Sequence, residues 1–220
     1  MSKPVKRQYD STRRRAQASE TRSEIVRVAR DLFIERGYGH TTVADIARAA
    51  GVSVETIYAS AGTKADLLHK AWDITVGGDD EDVVFHERPE VQAIRNEPDL
   101  ARRLTLQAAF STKTAQRIAP FQLMVHAASG ADPAAAAMLE EMGRQRLVGI
   151  GVMASEAAKT GQLAVSEEEC RDVIWSMTDG TLWHRLVNER GWTNERFAAW
   201  LGQVWVDRLV KTRAPARARK

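Results

Sequence analysis

The sequence predicts an all-α protein in which a small N-terminal helical domain precedes a larger one. Three observations carry this prediction. Apolar residues recur at the spacing of amphipathic helices along most of the chain. Glycine and proline interrupt these stretches at places suited to helix ends. No stretch shows the alternation of apolar and polar residues that is typical of a strand.

The first strongly periodic stretch precedes Gly37. Glycine favours the left-handed conformation that ends a helix, so one long helix is predicted to stop there. A later helix is predicted to begin at Thr63, Lys64 and Asp66, which form another cap. The apolar positions of these two helices are Ile25, Val28, Ala29, Leu32 and Phe33, and then Leu67, Leu68, Ala71 and Trp72.

The stretch between them predicts two short helices joined by a tight turn. Thr42 can cap the first helix, with Asp45 as its capping-box partner, and Gly51 ends it. Ser53 caps the second, which runs to about Ala59. This is the pattern of a helix-turn-helix, whose second helix enters the major groove while the first crosses the backbone. An ordinary helical hairpin is the alternative interpretation.

The order of these elements resembles the DNA-binding domain of the tetracycline-repressor (TetR) family of bacterial regulators over about residues 20–73. The matching segments are Gly-Tyr-Gly-His-Thr-Thr, Gly-Val-Ser, Ile-Tyr and Gly-Thr-Lys-Ala-Asp-Leu-Leu. The resemblance implies that Lys64 lies beside a phosphate and Tyr58 against the DNA backbone, although packing between helices would also explain Tyr58. The candidate DNA-binding residues are Thr42, Ser53, Val54, Glu55, Thr56, Tyr58 and Lys64.

The chain departs from the family directly after Tyr58. The family commonly has a bulky or basic residue, then His and Phe, where this chain has Ala59, Ser60 and Ala61. In the family the His contacts a phosphate and the Phe packs the domain. The resemblance therefore supplies neither function at these positions.

Charge is distributed unevenly along the chain. Residues 1–75 have a balance of +4, residues 76–210 of −6 and residues 211–220 of +5, within a net charge of +3. This is the pattern expected if only the first domain meets phosphate.

The first residues are basic and lack periodicity, so they predict a mobile arm. Such an arm can follow the DNA backbone or enter the minor groove, or it can simply aid solubility. A glycine-containing acidic loop at residues 77–82 predicts the domain boundary. The predicted divisions are a basic arm at 1–18, the helix-turn-helix domain at 19–76, the effector-binding and dimerisation domain at 77–211 and a basic disordered tail at 212–220.

The remainder of the chain predicts only helices. Prolines and glycines separate them, and their predicted limits are residues 89–96, 99–117, 119–129, 132–160, 167–190 and 193–211.

The last two predicted helices carry more apolar residues than one buried side needs, and Gly180 permits a close approach between helices. Surplus apolar surface predicts a homodimer formed as a four-helix bundle, which the resemblance also implies. The alternative is burial within a single subunit. The residues assigned to the interface are Val173, Met177, Thr181, Phe197, Trp200, Leu201, Val204 and Trp205.

The middle helices mix large apolar side chains with a few polar ones, as a small-molecule cavity requires. The resemblance implies an effector there that changes the spacing of the two DNA-reading heads. Such residues can equally form an ordinary core. The candidate pocket consists of Phe110, Phe121, Met124, His126, Met142, Trp175 and Met177.

Other classes of protein are disfavoured. The single cysteine, Cys170, excludes an internal disulfide and a multi-cysteine metal site, and it fits a reducing cytoplasm. His126 and His184 stand outside any metal-ligand pattern, so neither a metal nor a cofactor is expected. Glutamates at 167–169 disfavour a reactive thiolate, and we expect no enzyme activity. No secretion signal or membrane span is predicted.

These patterns predict a homodimeric transcriptional regulator that binds a palindromic duplex, with a small molecule releasing it from DNA. Repression rather than activation follows from family analogy alone. The alternative is an architectural or accessory DNA-binding dimer without an effector.

Overall fold

A computed structural model describes residues 8–77 and 89–212 of the chain. The described residues form helices and no strand, apart from one isolated bridge between Leu163 and Val210, so the predicted all-α class is confirmed. The helices are α1 (Gln8–Arg36), α2 (Val43–Ala50), α3 (Val54–Ser60), α4 (Lys64–Gly77), α5 (Pro89–Asn96), α6 (Leu100–Ser129), α7 (Pro133–Lys159), α8 (Glu167–Ser176), α9 (Thr181–Trp183, continued as a π-helical turn over His184–Glu189) and α10 (Asn194–Leu209).

The chain divides into two compact units. The first unit is Met1–Asp79 with Met124–Leu139, and the second unit is Asp80–Leu123 with Glu140–Lys220. The sequence-based division had placed all of residues 77–211 in the second domain, whereas the end of α6 and the beginning of α7 group with the first unit.

The core of the first unit forms where α1 packs against α2, α3 and α4. Thr41 is fully buried, and its hydroxyl donates to the carbonyl oxygen of Gly37 at 2.9 Å, so the loop after α1 is tied to that helix. Burial of apolar side chains supplies the main stabilisation of such a unit. The buried apolar residues of the four helices are Ile25, Val26, Ala29, Leu32, Phe33, Ile46, Ala47, Ile57, Leu67, Leu68, Ala71 and Trp72.

Helix α1 begins earlier than the sequence predicted. The predicted mobile arm is wrong for residues 8–18, which are helical, while residues 1–7 lie outside the described residues. No glycine or proline interrupts the chain between Pro4 and Gly37, and Ala, Arg, Gln and Glu favour helix in the absence of periodicity. A helix is also too thick, at about 10–12 Å, to enter the minor groove, about 6 Å wide, in the proposed manner of an arm.

The core of the second unit surrounds α10. Phe197, Leu201 and Trp205 are each at most 1% exposed and contribute one side of this helix to the core. A Cβ atom at Gly202 would lie 3.3 Å from Thr105 Cα. Glycine therefore allows α10 to approach the backbone of α6 closely.

Two predicted helix limits in the second half are wrong. Helix α6 continues through Pro120, where the sequence predicted a break. Ala119 and Phe121 on either side of the proline are fully buried, and their packing offsets the one backbone hydrogen bond that proline cannot donate. Conversely, the predicted helix 167–190 is interrupted at Gly180, whose φ of +81° is left-handed.

Several predicted features lie outside the described residues. These are the acidic stretch at 78–82 within the predicted boundary loop and residues 213–220 of the basic tail. Along residues 8–77 and 89–212, no helix has both the length and the apolarity needed to cross a bilayer.

Candidate DNA-binding surface

Reciprocal hydrogen bonds fix the start of α2. The Asp45 backbone N–H donates to Thr42 Oγ1, and the Thr42 backbone N–H donates to Asp45 Oδ2, both at 3.1 Å. The Thr42 hydroxyl also lies 2.6 Å from Asp45 Oδ2. Hydrogen bonds from Thr42 lower the pKa of the Asp45 carboxyl, and Arg48 adds to this effect. The predicted capping box is present, and it places Thr42 at the exposed end of α2.

The turn between α2 and α3 follows the predicted chemistry. Gly51 has a left-handed φ of +66°, and the Val52 N–H behind it donates to the Ala47 carbonyl at 3.0 Å. Ser53 then caps α3, because its Oγ accepts from the Thr56 backbone N–H at 3.2 Å. The turn therefore sets α3 directly after α2, as a helix-turn-helix requires.

Helix α3 has one buried and one exposed side. Ile57 is fully buried. Because successive residues lie about 100° apart round a helix, Glu55 and Ala59 fall on the side opposite Ile57. Tyr58 flanks them and is 54% exposed, so packing between helices does not explain it.

Thr56 borders the other edge of this exposed side. It is half-buried, and its hydroxyl lies 3.1 Å from Ser53 Oγ. Val54 is half-buried as well, while Ser53 is exposed. Val54, Glu55, Thr56 and Tyr58 thus lie on α3, and Ser53 caps it, as the sequence predicted.

Lys64 is the first residue of α4. Its Nζ lies 4.1 Å from the centroid of the Tyr38 ring, which is itself buried. Burial lowers the pKa of Lys64, and the negative charge of Asp132 in the first unit opposes that shift. Burial also raises the pKa of Tyr38 to about 12, so its ring remains neutral and available to the cation.

Residues 25–71 match the model of a family described as "Bacterial regulatory proteins, tetR family". The N-terminal part of the chain is therefore similar to the TetR family. Over 61 residues it is 41% identical to the HTH-type transcriptional regulator TtgR of Pseudomonas putida, a match that covers 28% of this chain and 29% of TtgR. The chain thus matches less than a third of the length of this curated relative. The curated relatives TtgR and AcrR are both transcriptional regulators.

Two solved structures have the same fold over most of the chain. NalD, the secondary repressor of the MexAB-OprM multidrug efflux pump of Pseudomonas aeruginosa, has a TM-score of 0.65 and 18% identity, covering 89% of this chain and 98% of NalD. FadR from Bacillus subtilis, in complex with stearoyl-CoA, has a TM-score of 0.64 and 20% identity, covering 84% of this chain and 97% of FadR.

Where the chain departs from the TetR-family pattern, the structure provides other contacts. Ala61 is 1% exposed, and its carbonyl accepts a hydrogen bond from Lys70 Nζ at 2.5 Å. A cation at this point also opposes the negative end of the α3 dipole. Sequence reasoning missed Lys70 and Tyr38, since only the fold brings these residues to Ala61 and Lys64.

Three of the residues assigned to the dimer interface are core residues instead. Phe197, Leu201 and Trp205 are buried within the chain itself, so they have no surface left for a partner, and that assignment is wrong. The other five are half-buried and lie on α8, α9 and α10 or, for Met177, directly after α8. Their role in a dimer remains a prediction, and they are Val173, Met177, Thr181, Trp200 and Val204.

The residues of the predicted effector pocket do not share one environment. Met124 and His126 belong to the first unit and the other five to the second. His126 is exposed, and Trp175 is 37% exposed with Arg146 stacked 4.7 Å from its ring. Phe121, Met124 and Met142 are buried, and Phe110 and Met177 are half-buried.

The second unit has a cleft of about 670 Å³ at the C-terminal end of α10. None of the predicted pocket residues contributes to it. Its lining consists of Asp99, Ala101, Gly161, Gln162, Val206, Asp207, Val210, Lys211 and Thr212.

Proposed function

We propose that this chain is a sequence-specific transcriptional regulator that binds a palindromic DNA operator as a homodimer. The observation that carries the proposal is the two-sided character of α3. Ile57 anchors its inner side, and Glu55, Ala59 and Tyr58 occupy its outer side. A helix of about 10–12 Å diameter fits a major groove about 12 Å wide, so this outer side can reach base edges.

Phosphate contacts are supported by cations on the first unit. Lys64 stands at the start of α4, and the Arg48 side chain at the end of α2 is 76% exposed. In a helix-turn-helix the first helix crosses the DNA backbone, so Arg48 would lie near phosphates, and the resemblance to the TetR family implies the same for Lys64. Phosphate binding by these cations would supply affinity without base preference.

Assembly as a homodimer is supported by the half-buried apolar residues of the last helices. Trp200 and Val204 are half-buried beside the buried side of α10, and Trp200 also packs against the edge of the core. Two symmetric DNA-binding heads would match the two halves of a palindrome.

Release by a small molecule is supported by two buried polar atoms in the second unit. Among the described residues, Gln122 Oε1 and Trp205 Nε1 have no hydrogen-bond partner, which costs about 1–3 kcal/mol for a buried group. A partly apolar effector that bonded to either atom would recover that energy. FadR binds stearoyl-CoA and NalD is a repressor, and we extend both properties to this chain by analogy.

Two substitutions separate the two kinds of DNA contact. Thr56→Ala should relax base preference, whereas Lys64→Ala should weaken binding to all duplexes and lower the salt slope by about 1. Lys113→Ala is the matched control, because Lys113 is an exposed lysine of the second unit. Fluorescence anisotropy over a range of salt concentrations would measure both effects. Wild-type affinity, slope and selectivity in both variants would show that the DNA-binding residues lie elsewhere.

A further inference from the structure

Glu55 occupies the centre of the exposed side of α3. It lies nearly opposite the buried Ile57, and Ala59 follows it one turn later on the same side. The methyl group of Ala59 reaches less far than a long side chain, so it leaves the helix free to approach the groove closely. Among the polar side chains of α3, Glu55 therefore lies nearest the centre of this exposed side.

The Glu55 carboxylate is ionised and accessible. The side chain is exposed, and hydrogen bonding to its own backbone N–H and to the Ser53 hydroxyl lowers the pKa of this carboxyl. Helix α3 contains neither lysine nor arginine, so no cation of its own helix neutralises the charge. The Glu55 carboxylate is therefore a fully charged hydrogen-bond acceptor on the surface that α3 presents to DNA.

Only a few base edges in the major groove offer a hydrogen-bond donor to such an acceptor. Guanine presents N7 and O6, and thymine presents O4, all of which are acceptors that repel a carboxylate. Adenine offers its N6 amino group beside the acceptor N7. Cytosine offers its N4 amino group beside a C5–H, so cytosine is the base that a carboxylate contacts with least repulsion.

We propose that Glu55 specifies a cytosine in each operator half-site by accepting a hydrogen bond from its N4 amino group. This inference rests on the proposed function, because it requires that α3 enter the major groove. The contact adds discrimination at one position, while the repulsion between Glu55 and the phosphates weakens binding to duplexes without that cytosine. Glu55 is in this way a specificity residue, and the cations of the first unit provide the general affinity.

The test uses the full chain and an operator selected from a random duplex pool. Each cytosine in one half-site is replaced in turn by 2-pyrimidinone, which pairs with guanine but lacks the 4-amino group. We expect one replacement to weaken wild-type binding by about 5- to 150-fold, the range of a good base contact. The same replacement should leave binding by Glu55→Ala unchanged, since that variant has already lost the acceptor.

A second variant tests the base code directly. Glu55→Gln should change the preference at that position from cytosine to adenine, because a glutamine amide both accepts from N6 and donates to N7. The control is Glu35→Gln, which removes the same charge from an exposed residue of α1 and should keep the preference for cytosine. Far-UV circular dichroism would confirm that all variants keep their helices.

Each outcome decides a different claim. A selected palindrome whose cytosines all tolerate loss of the amino group, or a Glu55→Gln variant that keeps its cytosine, would overturn the role of Glu55 and leave the DNA-binding function standing. A wild-type chain that selects no sequence would overturn the proposed function and this inference together.

Discussion

The ammonium group of Lys64 lies 4.1 Å from the centre of the Tyr38 ring, and that ring in turn packs 5.1 Å from the ring of Phe33 in α1. The cation at the start of α4 is therefore held by an aromatic side chain that α1 fixes in place. A lysine with one preferred position loses less conformational entropy when it meets a phosphate than a freely rotating one.

This relationship predicts different effects for two substitutions of Tyr38. Tyr38→Phe keeps the ring and should keep wild-type DNA affinity. Tyr38→Leu removes the ring and should weaken binding to all duplexes by up to the value of a cation–π contact, about 0.5–2 kcal/mol, without changing base preference. Anisotropy titrations on specific and unrelated duplexes would measure both. Equal affinity of Tyr38→Leu and wild type would show that Lys64 needs no support.

The helix-turn-helix was predictable from sequence because its signals are local. Thr42 with Asp45, Gly51 and Ser53 each act on residues within one turn of helix, and each does in the structure what it was predicted to do. A capping bond or a left-handed glycine needs no distant partner, so the sequence alone contains the information.

The second unit was less predictable because its signals depend on distant partners. A stripe such as Phe197, Leu201 and Trp205 has the same period whether it faces its own core or another subunit. The helical path through Pro120 and the break at Gly180 likewise depend on contacts between α6 and residue 180. A Cβ atom at residue 180 would meet the side chain of Gln122 in α6. No local pattern records such contacts.

The two classes of residue on α10 predict two kinds of failure. Val204→Glu should yield a monomer with both units folded, because the half-buried Val204 faces a partner in the proposed dimer. Leu201→Glu should unfold the second unit, because it leaves an unpaired charge in the core at a cost of several kcal/mol. Sedimentation and circular dichroism would distinguish the two.

Ala199→Glu is the matched control for that experiment. Ala199 is exposed on the same helix, about 100° round from Trp200, and this variant should remain a folded dimer. A Val204→Glu protein that also remains dimeric would place the interface away from α10.

The unpaired carbonyl of Gln122 predicts opposite effects on stability and on ligand binding. Gln122→Met should raise the free energy of unfolding by about 1–3 kcal/mol, since it removes a buried acceptor at nearly constant volume. It should also weaken any effector that bonds to this atom. Thermal shift with a panel of amphipathic compounds would identify ligands, and isothermal titration would compare the two proteins.

The affinity of the protein for an effector found in this way must also depend on whether DNA is bound. It should lower DNA affinity by about 5- to 150-fold, and the operator must weaken the effector by the same factor. A ligand that binds with the same affinity in the presence and absence of operator is not an effector. If no ligand binds at all, the architectural interpretation of the dimer is favoured.

Cys170 predicts a pH dependence of stability. Burial, with a contribution from Glu167, raises the pKa of this thiol from 9.0 to about 11. Between these values the folded chain keeps a proton that the unfolded chain has lost, so the free energy of unfolding should fall as the pH rises through this window. Cys170→Ala should reduce that slope in urea denaturation.

A thiol reagent should likewise label Cys170 in the native protein far more slowly than in the unfolded one, and rapid native labelling would contradict the buried position.

Selection of bound duplexes from a random pool by the full chain tests the central claim most directly. We expect enrichment of a palindrome whose half-site centres are separated by one helical turn of DNA or a multiple of it, on the order of 34–36 Å per turn. Such a result would show sequence reading and two-fold symmetry together. Enrichment of no sequence, or of a single site without symmetry, would contradict a homodimer that reads DNA through α3.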